Sequence, residues 1–139
     1  MLVYDFVPVG APFELAARRM RTDASDAFAA AAASVFDCPE AVRSLTPSGI
    51  RNRWDTLVLD VRWAGNPLAP RFEYLEGELQ LAPLRDNHSH LSLSASYEPT
   101  GSAEFTPVER LRAHRETEVG VRDVLVAVAL QLEQAERRR

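Results

Sequence analysis

Residues 74–84 read Tyr74-Leu75-Glu76-Gly77-Glu78-Leu79-Gln80-Leu81-Ala82-Pro83-Leu84, and this stretch decides the fold. Leu75, Gly77, Leu79 and Leu81 share one parity, while Tyr74, Glu76, Glu78 and Gln80 share the other. A period of two is the signature of a strand with one buried and one wet face. The same pattern lies on either side of it. Upstream, Leu57, Leu59, Val61 and Trp63 alternate with Thr56, Val58, Asp60 and Arg62; downstream, Leu91, Leu93, Ala95 and Tyr97 alternate with His90, Ser92, Ser94 and Ser96. The separators Ala64-Gly65-Asn66-Pro67 and Arg85-Asp86-Asn87 are turn-like. Three such runs predict an antiparallel sheet that is apolar on one face only.

Outward from this sheet, Leu2 to Val9 reads as a first strand that stops at Gly10. Pro12 opens a short helix to about Arg21, with Phe13, Ala16, Ala17 and Met20 on one face and Arg18, Arg19 and Arg21 available to solvent. A second short helix is expected from Asp23 or Ser25 to Val35, ended by Asp37-Cys38-Pro39. Ala41 to Leu45 and Ile50 to Trp54 are further strand-like runs around the turn Thr46-Pro47-Ser48-Gly49. The chain then closes in one long helix. Thr106 is its cap, Pro107 stands in its first turn, and Glu109 occupies the capping-box position. Its apolar stripe runs through Val108, Leu111, Val121, Val124, Leu125, Val128 and Leu132, and is interrupted by His114 and Glu118.

This order predicts an α+β fold. A curved antiparallel sheet must bury its inner face, and the last helix, about 45 Å long at 1.5 Å per residue, is the element long enough to cover it. The order resembles the helix-grip fold of the START and polyketide-cyclase-like (SRPBCC) superfamily along nearly the whole chain. Among its members, small actinobacterial proteins are the most similar. They share the strand L-x-G-x-L-x-L-x-P-L, here Leu75 to Leu84. They also share a strand of the form L-x-L-x-x-x-Y-x-P-x-G, here Leu91 to Gly101, and a helix opening with Leu111 and His114-Arg115. The resemblance implies seven strands, of which one is abbreviated in a chain of this length. It also implies binding of hydrophobic ligands, or, as in some branches, cyclisation or dehydration of polyketides.

Composition narrows the field further. The 139 residues are 46% hydrophobic and carry a formal charge of −4, the profile of one globular domain spanning 1–139. No apolar run reaches the roughly 18 residues of a membrane span, and no basic flank precedes an apolar stretch at the start. All 16 basic residues are arginine, which fits a GC-rich genome. The arginine clusters have acidic neighbours, which speaks against a nucleic-acid surface. A single cysteine, Cys38, excludes an internal disulfide and any CxxC motif, so a reducing cytoplasm is the expected compartment. Glycine-rich phosphate loops and GxSxG are absent, and no cofactor is implied.

Few residues remain to carry chemistry. His114 and Glu118, one helical turn apart, either orient or protonate a buried polar group of a ligand, or serve as an ordinary hydrogen-bonded histidine and a surface ion pair. Tyr97 either places its hydroxyl at a cavity mouth or is core with its tip satisfied. Trp63, Leu59, Leu79, Leu93 and Val121 are the expected apolar walls, with core packing as the plainer role for Trp63. Trp54, Phe72 and Tyr74 add aromatic bulk. Phe72 and Tyr74 lie on the solvent parity, which suggests cover by another segment or by a second subunit in a homodimer. His88 and His90 have a metal-compatible spacing but no third ligand in view, so no metal is expected. Three functions stay open: a binding module for a small hydrophobic or amphipathic molecule, a cyclase or dehydratase using His114 or Glu118, and an interaction protein whose interior is filled by its own side chains.

Overall fold

In the computed structural model the described residues are 1–35, 50–63 and 72–137, excepting the side chains of 23–27, 29, 32–34, 63 and 134–137. The elements are β1 (Leu2–Val9), α1 (Phe13–Val35), β2 (Ile50–Arg53), β3 (Thr56–Trp63), β4 (Phe72–Arg85), β5 (His88–Pro99), a short 3-10 turn at Ser102–Glu104, and α2 (Pro107–Arg137). The strands form one antiparallel sheet in the order β1-β5-β4-β3-β2. Cys38, the run from Ala41 to Leu45 and the turn from Ala64 to Pro67 lie outside the described residues.

Register follows the alternation. Leu59, Leu79 and Leu93 stand side by side across β3, β4 and β5, as do Leu57, Leu81 and Leu91. All six are buried on the inner face. The next row holds Val61, Gly77, Ala95 and Val3. Here small residues are obligatory, because β4 and β5 approach closely. A Cβ on Gly77 would come within 2.1 Å of the Ser94 carbonyl oxygen and 2.7 Å of the Ala95 Cα. At the tight turns, Asn87 (φ 66°) and Gly101 (φ 76°) supply the left-handed backbone needed to leave β4 and β5.

The outer face is polar and braced. Arg51 and Arg53 on β2 reach over β3 to Glu78, at 2.5 and 2.7 Å, and Arg51 also binds Asp60. The Arg53 guanidinium holds the Glu78 carboxyl below its ordinary value of 4.5, against a smaller opposing effect of burial.

The helices differ from the sequence expectation in three respects. First, α1 is continuous where two helices were expected. No proline or glycine separates Arg21 from Ala27, and Thr22 donates its hydroxyl back to the Arg18 and Arg19 carbonyls, so nothing ends the helix there. Secondly, Arg19 is buried, not solvated; its guanidinium donates to the Leu132 carbonyl at 2.7 Å and ties α1 to α2. Thirdly, α2 does not cover the sheet alone. It packs on β1 and α1 and only lightly on β5, while α1 also packs on β4 and β5.

The start of α2 is as expected. The Thr106 hydroxyl accepts from the Glu109 N–H, and the Glu109 carboxylate accepts from the Thr106 N–H. Val108 and Leu111 are exposed, however, so the buried stripe begins only at Thr117 and Val121. Three contacts fasten the buried part. Arg122 grips Asp5 of β1 through two bonds of 3.0 and 2.8 Å, Glu133 accepts from the Gly10 N–H, and Arg19 holds Leu132.

Two aromatic residues also depart from expectation. A bulge between Phe72 and Tyr74 breaks the parity of β4. It turns Phe72 inward, where its ring meets Tyr97 edge-on at 5.7 Å, and leaves only Tyr74 on the outer face. Trp54 is not core bulk. It sits at the tip of the β2–β3 hairpin with φ 61°, 96% exposed.

Candidate functional site

The interrupted turn of α2 lies against the end of β5. Tyr97 is the last inward-facing large residue of β5 and is fully buried. Its hydroxyl meets His114 Nδ1 at 2.5 Å, and the two rings stack with their planes 7° apart. On the other side of the imidazole, Nε2 stands 3.4 Å from Glu118 Oε1. The three residues therefore form one line: phenol, imidazole, carboxylate. The helix makes half of it automatically, since positions i and i+4 share a face. The sheet makes the other half through the parity that turns Tyr97 inward.

Electrostatics set the direction of the protons. Burial pushes the Tyr97 phenol above its ordinary value of 10.0, opposed by a hydrogen bond with Thr117 and reinforced by Glu118 and Glu98. Thr117 has one hydroxyl proton, and that proton is directed to the Ala113 carbonyl at 2.9 Å, so its hold on a phenolate is weak. Tyr97 is thus a neutral donor. With Tyr97 donating to the Nδ1 lone pair, the neutral imidazole carries its proton on Nε2, 3.4 Å from the Glu118 carboxylate.

Burial within the line is graded. The Tyr97 ring is sealed, the His114 side chain is 32% exposed, and the Glu118 side chain is 54% exposed. The reactive end of the arrangement is therefore the imidazole edge and the carboxylate, not the phenol. Such a group can accept or deliver a proton at Nε2 while Tyr97 fixes the ring.

The expected walls and the polar line stand at different levels of the sheet, for the row of Leu59, Leu79 and Leu93 is separated from Leu75 and Tyr97 by that of Gly77 and Ala95. Leu59, Leu79, Leu93 and Val121 are all buried in the same apolar cluster as Tyr97. The backbone of Trp63 pairs with Leu75, next to Tyr97 in register, and its side chain lies outside the described residues. Glu118 is at the rim, more exposed than a wall residue. Sequence reasoning missed Thr117, although it stands three residues after His114 on the same face. It also missed a polar cluster beside the site. Glu98 accepts from Ser102 and lies 3.9 Å from Arg110, holding the first turns of α2 to the end of β5.

His88 and His90 do not converge. His88 faces the Asp86 carbonyl and His90 stacks on Phe6 at 4.9 Å. Among the described residues, no group of three or more histidine, cysteine, aspartate or glutamate side chains could hold a metal ion, and no helix is long and apolar enough to cross a membrane.

No family model matches the sequence, and no curated protein is similar to it. Solved structures are similar in fold. The Zhui aromatase/cyclase of a Streptomyces species is 17% identical, with a TM-score of 0.52, over 100% of this chain and 96% of that one. A Thermus thermophilus protein is 13% identical with a TM-score of 0.56, over 97% and 99% of the two chains. A conserved protein of Geobacillus kaustophilus is 12% identical with a TM-score of 0.55, over 97% of both. Together with the antiparallel sheet and the long C-terminal helix, these similarities show the helix-grip fold for this chain.

Proposed function

We propose that the protein binds a small hydrophobic or amphipathic molecule between the inner sheet face and α2, with the molecule's polar end at His114 and Glu118. The observation that carries this reading is the Tyr97–His114–Glu118 line. It is an ordered polar group set at the edge of an otherwise aliphatic interior, the composition of most small-molecule sites. Leu59, Leu79, Leu93 and Val121 supply the walls, and the small pair Gly77 and Ala95 keeps side-chain bulk away from the middle of the sheet. The test is native mass spectrometry of the purified protein, followed by a thermal-shift screen of fatty acids, aromatic polyketides and sterols. A co-purified or added ligand whose binding weakens in His114→Ala supports the reading. No ligand in either assay assigns the interior to the protein's own side chains and ends it.

A second reading has its own support. The imidazole with one nitrogen fixed and the other exposed suits acid–base work, and one protein of similar fold is an aromatase/cyclase. On this reading His114 transfers the proton at Nε2, Glu118 stands beside that nitrogen, and Tyr97 positions the ring. His114→Gln would then keep the fold and ligand affinity but abolish turnover of a polyketide-like substrate. Turnover that survives this change rules the enzyme reading out.

A further inference from the structure

The two edges of the sheet are finished differently. On the β2 edge the strand is only four residues long, and Arg51 and Arg53 are bound to the Glu78 carboxylate. Short strands and charges are the usual ways of blocking an edge. On the β1 edge the strand has eight residues. Its outward side chains Leu2, Tyr4 and Phe6 are uncharged and 78%, 60% and 48% exposed.

The hydrogen-bond phase of β1 decides what this edge can bind. Met1 and Tyr97 exchange both backbone bonds, so odd-numbered residues of β1 point their N–H and C=O groups at β5. Even-numbered residues point theirs away from the sheet. Among the described residues no strand pairs with that side of β1, so the edge offers the N–H and C=O groups of Leu2, Tyr4 and Phe6, and from Pro8 a carbonyl alone.

We propose that β1 pairs antiparallel with β1 of a second copy of this chain, with Tyr4 on the two-fold axis. In this register Leu2 faces Phe6 of the other copy and Tyr4 faces its own equivalent. Every outward N–H between residues 2 and 6 gains a carbonyl, and none is demanded of Pro8. A register two residues further on would set Leu2 against Pro8, which has no N–H to give. The Phe6 N–H, now held by Asp5 Oδ1 at 2.8 Å, changes one acceptor for another, and Asp5 keeps its two bonds to Arg122. Two Asp5 carboxylates do not face each other, because Asp5 stands opposite Val3. The outer row Leu2, Tyr4, Phe6 then continues into the same three residues of the partner as one apolar strip. A single strand pair lies at the small end of specific interfaces, roughly below 1,200 Å² in total, so the dimer is reversible.

Sedimentation velocity of the full chain across the micromolar range tests this. The expected result is a concentration-dependent monomer–dimer equilibrium. Tyr4→Pro should weaken it at least tenfold while leaving the fold intact, because the lost N–H is one that β5 does not use. Phe6→Lys should do the same by setting a charge against Leu2, and circular dichroism checks that both variants fold. Register is read by oxidation in a Cys38→Ser background. Tyr4→Cys should form a disulfide-linked dimer, since paired Cα atoms across the axis lie about 5.5 Å apart, whereas Phe6→Cys alone should not. A protein that stays monomeric throughout, a dimer indifferent to Tyr4→Pro and Phe6→Lys, or cross-linking at Phe6 but not Tyr4 would each overturn the proposal. So would a monomer that instead binds phosphatidylcholine vesicles through Leu2, Tyr4 and Phe6. None of these outcomes depends on the ligand reading.

Discussion

Tyr97 carries its hydroxyl into an apolar interior and spends it on His114. Removing it in Tyr97→Phe leaves Nδ1 without a donor and should cost about 1–2 kcal/mol in urea unfolding, with the fold kept. The phenol also ties stability to alkaline pH. Its folded value is raised, so the folded chain keeps a proton that the unfolded chain gives up; stability is fully present below pH 10.0 and declines as pH rises through the folded value. In Tyr97→Phe that alkaline decline should shrink, and urea midpoints across the alkaline range measure it. Glu78 has the opposite sign. Its folded value is depressed by Arg53, so its contribution is present above 4.5 and is lost as pH falls through the folded value. Glu78→Gln should flatten the acid limb of the same profile. At this scale His114 and Glu118 were legible, because a polar pair at i and i+4 breaks an aliphatic stripe. Tyr97 was legible by parity. The contact of Tyr97 with His114 was not, since the two residues are 17 apart and lie on different elements. The grip of Arg122 on Asp5, across 117 residues, is invisible for the same reason.

Elements divide by how fully their neighbours pack them. The second half of α2 is buried against β1 and α1, so Leu125→Ala should destabilise by about 2–5 kcal/mol. In the first turns Val108 and Leu111 are exposed, and Leu111→Ala should change stability by no more than about 0.5 kcal/mol. Equilibrium unfolding of the two variants compares the halves directly. In β4 the demand is steric: Gly77→Ala sets a methyl against the β5 backbone, which cannot yield as a side chain would, and should cost about 3 kcal/mol. Alternation revealed β3, β4 and β5 and their inner faces, because a half-buried strand writes its burial directly into every second residue. The capping box revealed the start of α2. The bulge that turns Phe72 inward left no such mark, because parity holds only while the ladder is unbroken. The exposure of Val108 and Leu111 was equally hidden, since helical spacing says which residues share a face but not whether anything covers it.

For the whole molecule, the sheet and α2 make one apolar interior with a polar line at one end. A ligand that binds only the folded chain should raise its stability by about 2.7 kcal/mol at a hundred times its dissociation constant. A midpoint that does not move under such conditions would separate a filled interior from an occupied one. The pairing of β1 with β5 has a different consequence. Val9 lies opposite Ser89 and Leu2 opposite Ser96, separations of 80 and 94 residues (89−9 and 96−2). Synthesis at roughly 5–20 residues per second leaves β1 without its partner for several seconds after it emerges. During that interval the ribosome-bound chain displays Val3, Val7 and Val9 as well as Leu2, Tyr4 and Phe6, a mostly apolar strand whose one charge is Asp5, with nothing yet to pair with. Holdase chaperones should therefore engage the nascent chain at β1 and release it only once β5 has cleared the exit tunnel.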